Sequence, residues 1–209
     1  MMDLTAREWV GHAVTHPVEG FEDMRWKKAG SLKISALIVF LWFAAAVFRD
    51  RLYGFQFYTV PDKLFNVVPY IVQTIILFLT WVVGNWAVCT LLDGEGTMRN
   101  ICIYSAYALI PYVAGIYIEV LLSHILIRDE IVFMQAVSVI GTLWSAVLVF
   151  SAIRSVHQYS PGKTVLAIVL TIAAMLIILF LLVLLLSLLQ QMYVFVYSVI
   201  TELIYRLKV

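Results

Sequence analysis

The segment Val165–Leu189, with the sequence VLAIVLTIAAMLIILFLLVLLLSLL, decides the class of fold. It contains no charged residue, and it is longer than the roughly 20 residues that an α-helix needs to cross the hydrocarbon layer of a bilayer. Such a run predicts a transmembrane helix that crosses with some tilt. Over the whole chain, 63% of the residues are hydrophobic and 13% are charged, whereas about a quarter are charged in soluble domains. We therefore predict an all-α integral membrane protein.

Four further apolar segments have the length of transmembrane helices. They are Leu32–Phe48, Phe65–Leu92, Ile101–Leu126 and Ile131–Ile153. The chain then divides into an N-terminal cytoplasmic or interfacial segment, 1–31, a five-helix transmembrane domain, 32–189, and a C-terminal segment, 190–209. The connection after the first span, through Tyr53, Phe55, Phe57, Tyr58 and Pro61, is aromatic enough to lie on the membrane surface.

Both terminal segments have the character of helices in the membrane interface. In the N-terminal segment, Trp26 stands beside Arg25 and Lys27, and tryptophan prefers the headgroup layer. In the C-terminal segment, Ile200, Leu203 and Leu207 recur at helical spacing while charged residues fall elsewhere. This pattern predicts an amphipathic helix lying in the interface, although a sixth crossing remains open.

Membrane orientation follows from the distribution of lysine and arginine. A cytoplasmic N-terminus assigns eight of them to the cytoplasmic side: Arg7, Arg25, Lys27, Lys28, Lys33, Arg99, Arg154 and Lys163. It assigns six to the other side: Arg49, Arg51, Lys63, Arg128, Arg206 and Lys208. We predict a multi-pass protein of the cell (plasma) membrane with its N-terminus inside and its C-terminus outside. No basic stripe accompanies the net charge of +1, so nucleic acid is not an expected partner.

Several motifs in and between the spans resemble the Yip-domain family, which comprises the Rab-GTPase-interacting membrane proteins of eukaryotes and their bacterial relatives. The motifs are Gly84-Asn85-Trp86, Leu91–Thr97, Ala106–Pro111, Ile140–Trp144, Val156–Ser160 and His16-Pro17 followed by Phe21. The resemblance covers about His16 to Leu189. It implies a five-helix domain with a cytoplasmic N-terminus.

The resemblance also bears on partners. Eukaryotic members have a longer cytosolic N-terminal region that engages GTPases, so the short segment 1–31 does not favour Rab binding here. The chain is most similar to bacterial members, some of which accompany ABC-type export systems or envelope-stress functions. The implied partners are the lipid bilayer and a membrane protein, either ABC transporter subunits or further copies of the chain. The family has no established common reaction.

Glu119 is the sharpest single candidate for a functional residue. A carboxylate within a span is costly if it faces lipid, so Glu119 should face the bundle interior, a cavity or the interface. It then serves as a proton-linked or cation-binding group, or it pairs locally near the outer end of its helix. Both interpretations stay open at this stage.

Two further candidates concern the packing of helices. Asn85 is expected to bridge helices or, less simply, to bind a ligand. Pro111 is expected to kink or thin the third span so that a neighbour approaches, with the released carbonyl satisfied inside the protein. A broken helix of this kind also forms binding sites in transporters.

The remaining candidates lie on the predicted cytoplasmic side. Asp93 and Glu95 belong to the turn Asp93-Gly94-Glu95-Gly96, whose glycines permit positive φ; the carboxylates are expected to be solvated or to contact a partner. His157, beside Arg154 and Lys163, is either an ordinary interfacial histidine or a pH sensor or lipid contact.

The sequence contains no motif of an enzyme active site: no Gly-x-Ser-x-Gly, no His-Glu-x-x-His and no metal-ligand spacing. We predict no catalytic activity, no cofactor and no metal. The expected function is a membrane adaptor or accessory subunit, associated with an ABC-type export system or an envelope-stress response. The alternative is a small-solute or lipid transporter that uses Glu119, and a membrane enzyme is a third possibility.

Overall fold

The computed structural model describes residues 5–57 and 65–208, including their side chains except those of residues 6, 7 and 208. Helices and turns, without a strand, make up this part of the chain. The helices are α1 (Ala6–Thr15), α2 (Glu19–Trp26), α3 (Leu32–Arg51), α4 (Val68–Ile71), α5 (Leu77–Leu91), α6 (Met98–Ala108), α7 (Ile110–Leu122), α8 (Ile131–His157) and α9 (Pro161–Lys208). A π-helical turn, Val72–Ile76, joins α4 to α5, and a 3-10 turn, Arg128–Glu130, precedes α8.

Five helical stretches among the described residues are long and apolar enough to cross a membrane. They are Leu32–Arg51, Val68–Leu91, Met98–Leu122, Arg128–His157 and Pro161–Leu207. The predicted all-helical fold with five helices apolar enough to span a membrane is therefore confirmed for the described residues, and each predicted span overlaps one of these stretches. The aromatic connection after the first span was predicted to include Tyr58 and Pro61, which lie outside the described residues.

Close helix packing in the middle of the bundle depends on glycine. A Cβ on Gly141 of α8 would lie 2.8 Å from the carbonyl oxygen of Pro111 and 3.5 Å from the Cα of Gly115, both on α7. Small residues allow helix backbones to approach in this way. Helix α3 packs against α6 and α7, and α5 packs against α9.

The two N-terminal helices pack on one end of this bundle. Thr5 and Glu8 form a capping box at the start of α1, which satisfies two backbone N–H groups that the helix leaves without partners. Phe21 and Met24 of α2 are fully buried in the same core as Tyr104 of α6. The indole Nε1 of Trp144 on α8 donates to the carbonyl oxygen of Val14, 3.0 Å away. The first helices therefore contact protein, and their depth in the membrane stays a prediction.

The C-terminal segment differs from the sequence-based prediction. We predicted a helix boundary near residue 190, yet α9 continues through Gln190 and Gln191 as one helix of 48 residues. Glutamine has good helix propensity, and neither proline nor glycine follows Gly162, so nothing in the local sequence ends the helix there. The separate amphipathic helix is absent from the described part of the chain, which runs to Lys208. Whether this half of α9 lies in the interface remains a prediction.

The third span is interrupted where we predicted. Helix α6 ends at Ala108 and α7 begins at Ile110, with Pro111 in its first turn. Proline suits the first turn of a helix because its missing N–H has no partner there in any case. The amide of Tyr112 donates to Ser145 Oγ at 2.9 Å, so α8 satisfies one of the backbone groups at the break.

Candidate functional site

The predicted site residues separate into two groups at opposite ends of the bundle. We call the end that carries α1, α2 and the turns 92–97 and 158–160 the N-terminal side, and the end that carries 52–57 and 123–130 the distal side. Asn85, Asp93, Glu95 and His157 lie toward the N-terminal side. Glu119 lies toward the distal side, and Pro111 lies at the α6–α7 break between them.

A continuous chain of hydrogen bonds joins four elements at the N-terminal side. The amide of Gly96 donates to His157 Nδ1 at 3.3 Å, and His157 Nε2 lies 3.1 Å from Asn85 Oδ1. Asn85 Nδ2 donates to Thr171 Oγ1 at 3.1 Å, and that hydroxyl donates to the carbonyl oxygen of Ala167 at 2.7 Å. Because an amide N–H can only donate, His157 Nδ1 accepts, and the imidazole is neutral with its proton on Nε2.

This chain of hydrogen bonds is closed to solvent. Asn85 and Thr171 are 0% exposed and His157 is 2% exposed. Buried polar groups that satisfy one another fix the relative positions of the elements that carry them. The network therefore holds the 92–97 turn, α5, α8 and α9 in one arrangement. Asn85 bridges helices, as the packing interpretation expects.

The acidic turn is shaped differently from our prediction. Its left-handed residue is Asp93, with φ of 56°, while neither Gly94 nor Gly96 has positive φ. The amide of Gly94 donates to the carbonyl oxygen of Cys89 at 2.7 Å, which is the Schellman closure of α5. The turn requires glycine at these positions because no side chain fits there, and not because of positive φ. A Cβ on either glycine would lie 2.5 Å from the His157 ring.

Arg25 of α2 connects this turn to the end of α8. Its guanidinium donates to the carbonyl oxygens of Ser155 and Val156, and it forms an ion pair with Glu95. A cation at the C-terminus of a helix is favoured by the partial negative charge there. Glu95 is therefore paired with Arg25 while its side chain remains largely exposed to solvent, and its contact with a partner protein stays a prediction.

Tyr159 completes the N-terminal side. Its ring stacks on His157 with the centroids 5.3 Å apart, and its hydroxyl donates toward the carbonyl oxygens of Cys89 and Leu92 at 3.1 and 3.2 Å. Burial raises the pKa of Tyr159 well above its usual range. The phenol therefore remains a hydrogen-bond donor that holds the α8–α9 turn against the end of α5.

Glu119 is paired at the distal side. Its Oε1 accepts from the hydroxyl of Tyr53 at 3.0 Å and from the guanidinium of Arg49 at 3.3 Å. The Glu119 side chain is 7% exposed, while that of Arg49 is 46% exposed. Its other oxygen, Oε2, is buried and has no hydrogen-bond partner among the described residues.

A cavity of about 480 Å³ opens beside this cluster. It lies between α3, the α4–π-turn segment and α7, and its wall includes Arg49, Tyr53 and Ile116. Glu119 is not one of the lining residues, but it bonds to Arg49 and Tyr53, which are. The remaining lining residues are mostly aromatic or polar: Trp42, Ala46, Asp50, Phe57, Tyr70, Gln73 and Tyr112.

A model of the Yip1 domain matches residues 11–185. The chain belongs to the Yip1 domain family. No curated protein matches it. No solved structure matches it. Together with the five helices that can cross a membrane, the family makes this chain a multi-pass membrane protein in contact with the lipid bilayer.

Within the Yip1 domain, the sequence analysis identified some residues of each polar cluster as candidates but not the residues that bond to them. Asn85, Glu95, His157 and Glu119 are conspicuous as polar residues in or beside apolar runs. Their partners Arg25, Arg49, Tyr53 and Thr171 were not singled out. Arg25 and Arg49 flank spans, where basic residues are ordinary, and Thr171 is a single hydroxyl inside a span. Only the fold brings each of them to its partner.

The described part of the Yip1 domain holds no group of three or more histidine, cysteine or acidic side chains that could bind a metal ion. Its two polar clusters consist of groups that satisfy one another or border a cavity. Such clusters position helices and bind ligands. The absence of catalytic activity stays a prediction.

Tyr53 gives the distal cluster a measurable dependence on pH. Burial, and then the neighbouring Glu119 carboxylate, raise the pKa of Tyr53 to about 12, from a usual value of about 10. A raised pKa means that the folded state holds the proton more tightly. The contribution of the protonated Tyr53 hydroxyl to the free energy of unfolding is complete below about pH 10 and is lost as the pH rises toward about 12.

We therefore expect the Tyr53→Phe variant to lose less stability than the wild-type protein between pH 9 and 12. Denaturant unfolding at a series of pH values checks this. Tyr193→Phe, at an exposed position on α9, is the matched control and should follow the wild-type curve. Parallel curves for wild type and Tyr53→Phe would contradict the assignment.

Proposed function

We propose that this Yip1-domain protein is a non-catalytic membrane adaptor or accessory subunit, and that it holds a partner membrane protein through the C-terminal half of α9. One observation carries the proposal. Helix α9 packs on the bundle as far as Leu182, and the residues from Val183 to Leu207 are exposed along the helix, apart from a half-buried Thr201.

The length of α9 makes this exposure significant. At 1.5 Å per residue, 48 residues extend about 72 Å, against about 30 Å of hydrocarbon. The run from Thr164 to Thr201 contains no charged residue. A tilt of about 20° shortens a helix along the membrane normal by only a few per cent. A straight α9 therefore presents more apolar surface than one bilayer crossing covers.

The position of the exposed segment within the family supports a separate role for it. The match to the Yip1 domain ends at residue 185, close to the point at which α9 leaves the bundle. The segment beyond that point adds nothing to the packing of the described domain. A surface of large exposed side chains such as Tyr193, Phe195 and Tyr197 is the composition favoured in protein interfaces.

The class of partner follows from the resemblance to bacterial members, some of which accompany ABC-type exporters or act in envelope stress. We propose a transmembrane subunit of an ABC-type exporter as the partner. We place the protein in the cell membrane with its N-terminus in the cytoplasm, which the lysine and arginine distribution favours. The N-terminal side, with Arg25 and His157, is then cytoplasmic.

Site-specific photocrosslinking in native membranes tests the proposal. A photoreactive amino acid at Val196 should give an adduct with an exporter subunit, identified by mass spectrometry. The same amino acid at Phe40 is the matched control, because Phe40 is equally exposed but lies on α3 within the bundle. It should give no protein adduct.

Two outcomes would overturn the adaptor proposal. An adduct between two copies of the chain at Val196 would identify α9 as a self-association surface. The absence of any protein adduct at Val196, in protein that is folded and inserted, would leave lipid as the only neighbour of α9. In that case the helix bends into the interface, as the sequence pattern of 190–209 predicts.

A second candidate function is transport of a small solute or lipid. The observation in its favour is the cavity beside Glu119, whose buried Oε2 has no described partner. Transporter sites within membranes use such carboxylates. The experiment of the next subsection tests the ligand site on which this alternative depends.

A further inference from the structure

Two cavities of opposite character share Trp42 in their walls. The first is the polar cavity described above, and the second, of about 200 Å³, is lined almost entirely by apolar side chains. We propose that the two together bind one phospholipid with a primary amine in its headgroup, of the phosphoethanolamine class. The headgroup occupies the polar cavity and part of an acyl chain occupies the apolar one.

The charges at the polar cavity match a zwitterion. Arg49 and Asp50 are adjacent in sequence and both line it. Only one donor of the Arg49 guanidinium is used by Glu119, and a guanidinium has five. The others suit the oxygens of a phosphate, which arginine binds well. One cation and one carboxylate on the wall favour a headgroup that carries both signs over one that carries only negative charge.

Asp50 selects among zwitterionic headgroups. Its side chain is 41% exposed and lines the polar cavity, whereas the Oε2 of Glu119 is buried behind the wall, where a ligand in the cavity does not contact it. A primary ammonium supplies N–H donors, whereas a quaternary choline ammonium has none. The aromatic rings of Trp42, Tyr53 and Tyr70 around the cavity attract any cation. The carboxylate is therefore the group that distinguishes ethanolamine from choline.

The apolar cavity identifies the ligand as a lipid. Its walls include Leu77, Phe78, Leu109, Val149 and Met175, and Trp42 lines both cavities. A free headgroup has nothing to place in the apolar space, while a phospholipid joins a zwitterion to a hydrocarbon chain.

The wall facing α3 contains an irregular helix. Gln73 lines the polar cavity from the π-helical turn Val72–Ile76. Such single turns occur frequently at functional sites, because the extra residue changes the direction of the side chains. Here the turn presents a neutral amide, which can both donate to a phosphate and accept from an ammonium.

The inference concerns binding by the isolated protein, so it is independent of the adaptor role. It also names the class of ligand that the transport alternative would use. The binding itself does not depend on transport taking place. Loss of a partner adduct at Val196 would leave it unaffected. Absence of lipid binding would likewise leave the adaptor proposal intact.

Native mass spectrometry of the full-length protein in mild detergent, titrated with defined ligands, tests the inference. The probes are phosphatidylethanolamine, phosphatidylcholine with the same chains, and soluble glycerophosphoethanolamine. We expect one molecule of phosphatidylethanolamine to bind, with affinity about tenfold or more above that for phosphatidylcholine, since a hydrogen bond to a charged group typically contributes that much. Glycerophosphoethanolamine should bind more weakly than the lipid.

Asp50→Asn should reduce the preference for ethanolamine over choline to about twofold or less, because a neutral amide makes a weaker hydrogen bond to an ammonium. Glu202→Gln, at an exposed site on α9, is its control. Val149→Phe should fill the apolar cavity and weaken binding of the lipid but not of the soluble headgroup. Val147→Phe, exposed on the same helix, is the control for that variant.

Three results would overturn the inference. The first is equal binding of the ethanolamine and choline lipids by the wild-type protein. The second is an unchanged preference in Asp50→Asn or, if that variant does not fold, undiminished binding of both lipids by Arg49→Gln, which removes the proposed phosphate contact. The third is binding of glycerophosphoethanolamine as tight as that of the lipid, which would remove the apolar cavity from the site.

Discussion

Gly141→Leu is expected to lower the free energy of unfolding by about 2–3 kcal/mol or to prevent folding, the range seen when extra atoms are forced into a packed core. A Cβ at this position already lies 2.8 Å from the carbonyl oxygen of Pro111. The obstacle is backbone, so it cannot move aside by changing a rotamer. Helix α7 must therefore shift away from α8.

The direction of the change in the free energy of unfolding shows whether Gly141 is closely packed. In a helix that is not closely packed, leucine is more favourable than glycine by up to about 1 kcal/mol. Gly162→Leu on α9 is the matched control, because no heavy atom lies within 4 Å of a Cβ there, and it should be neutral or slightly stabilising. Unfolding in mixed micelles of mild detergent and SDS, followed by tryptophan fluorescence, measures both. A stabilised Gly141→Leu variant would contradict the α7–α8 packing.

A shift of α7 would also reach the distal side. Helix α7 carries Tyr112 and Ile116 in the cavity wall, and its Glu119 bonds to Tyr53 of that wall. The contact between Pro111 and Gly141 therefore positions one wall of the proposed lipid site. This gives Pro111 a positioning role in the fold, separate from any contact with ligand.

The five spans could be predicted from the sequence because hydrophobic length alone determines them. The run Val165–Leu189 needs no tertiary information to be identified as a span. The end of α9 could not be predicted. The amphipathic spacing after Gln191 indicates which face of the helix is apolar, but it does not indicate whether the helix bends. With no glycine or proline after Gly162, the continuous helix is what local propensity favours.

The candidate sites were predictable only in part. An asparagine, a glutamate or a histidine in or next to an apolar run is conspicuous because burying it without a partner is costly. The identity of each partner depends on which helices become neighbours. Glu119 bonds to Tyr53 and Arg49, 66 and 70 positions away, and no local pattern specifies such pairs. The turn at Asp93 is similar, since its glycines are required by the distant ring of His157.

Asn85→Ala is expected to lower the free energy of unfolding by about 2 kcal/mol, because buried groups on two neighbouring helices each lose a hydrogen-bond partner. His157 Nε2 loses its acceptor, and Thr171 Oγ1 loses its donor. Asn100→Ala, at an exposed position in the first turn of α6, is the matched control and should change stability by less than about 0.5 kcal/mol. The same mixed-micelle unfolding measurement compares the two.

A double-mutant cycle separates the network from simple loss of volume at Asn85. If Asn85 and Thr171 act through their hydrogen bond, Asn85→Ala with Thr171→Val should cost less than the sum of the single changes, by about 1 kcal/mol. Additive losses would mean that packing alone accounts for Asn85. Coupling between the two would show that the hydrogen bond between Asn85 and Thr171 holds α9 against α5. Asn85 also fixes His157, which contacts the turn 92–97. The network would then connect this turn, which our topology places in the cytoplasm, to the helix proposed to hold the partner.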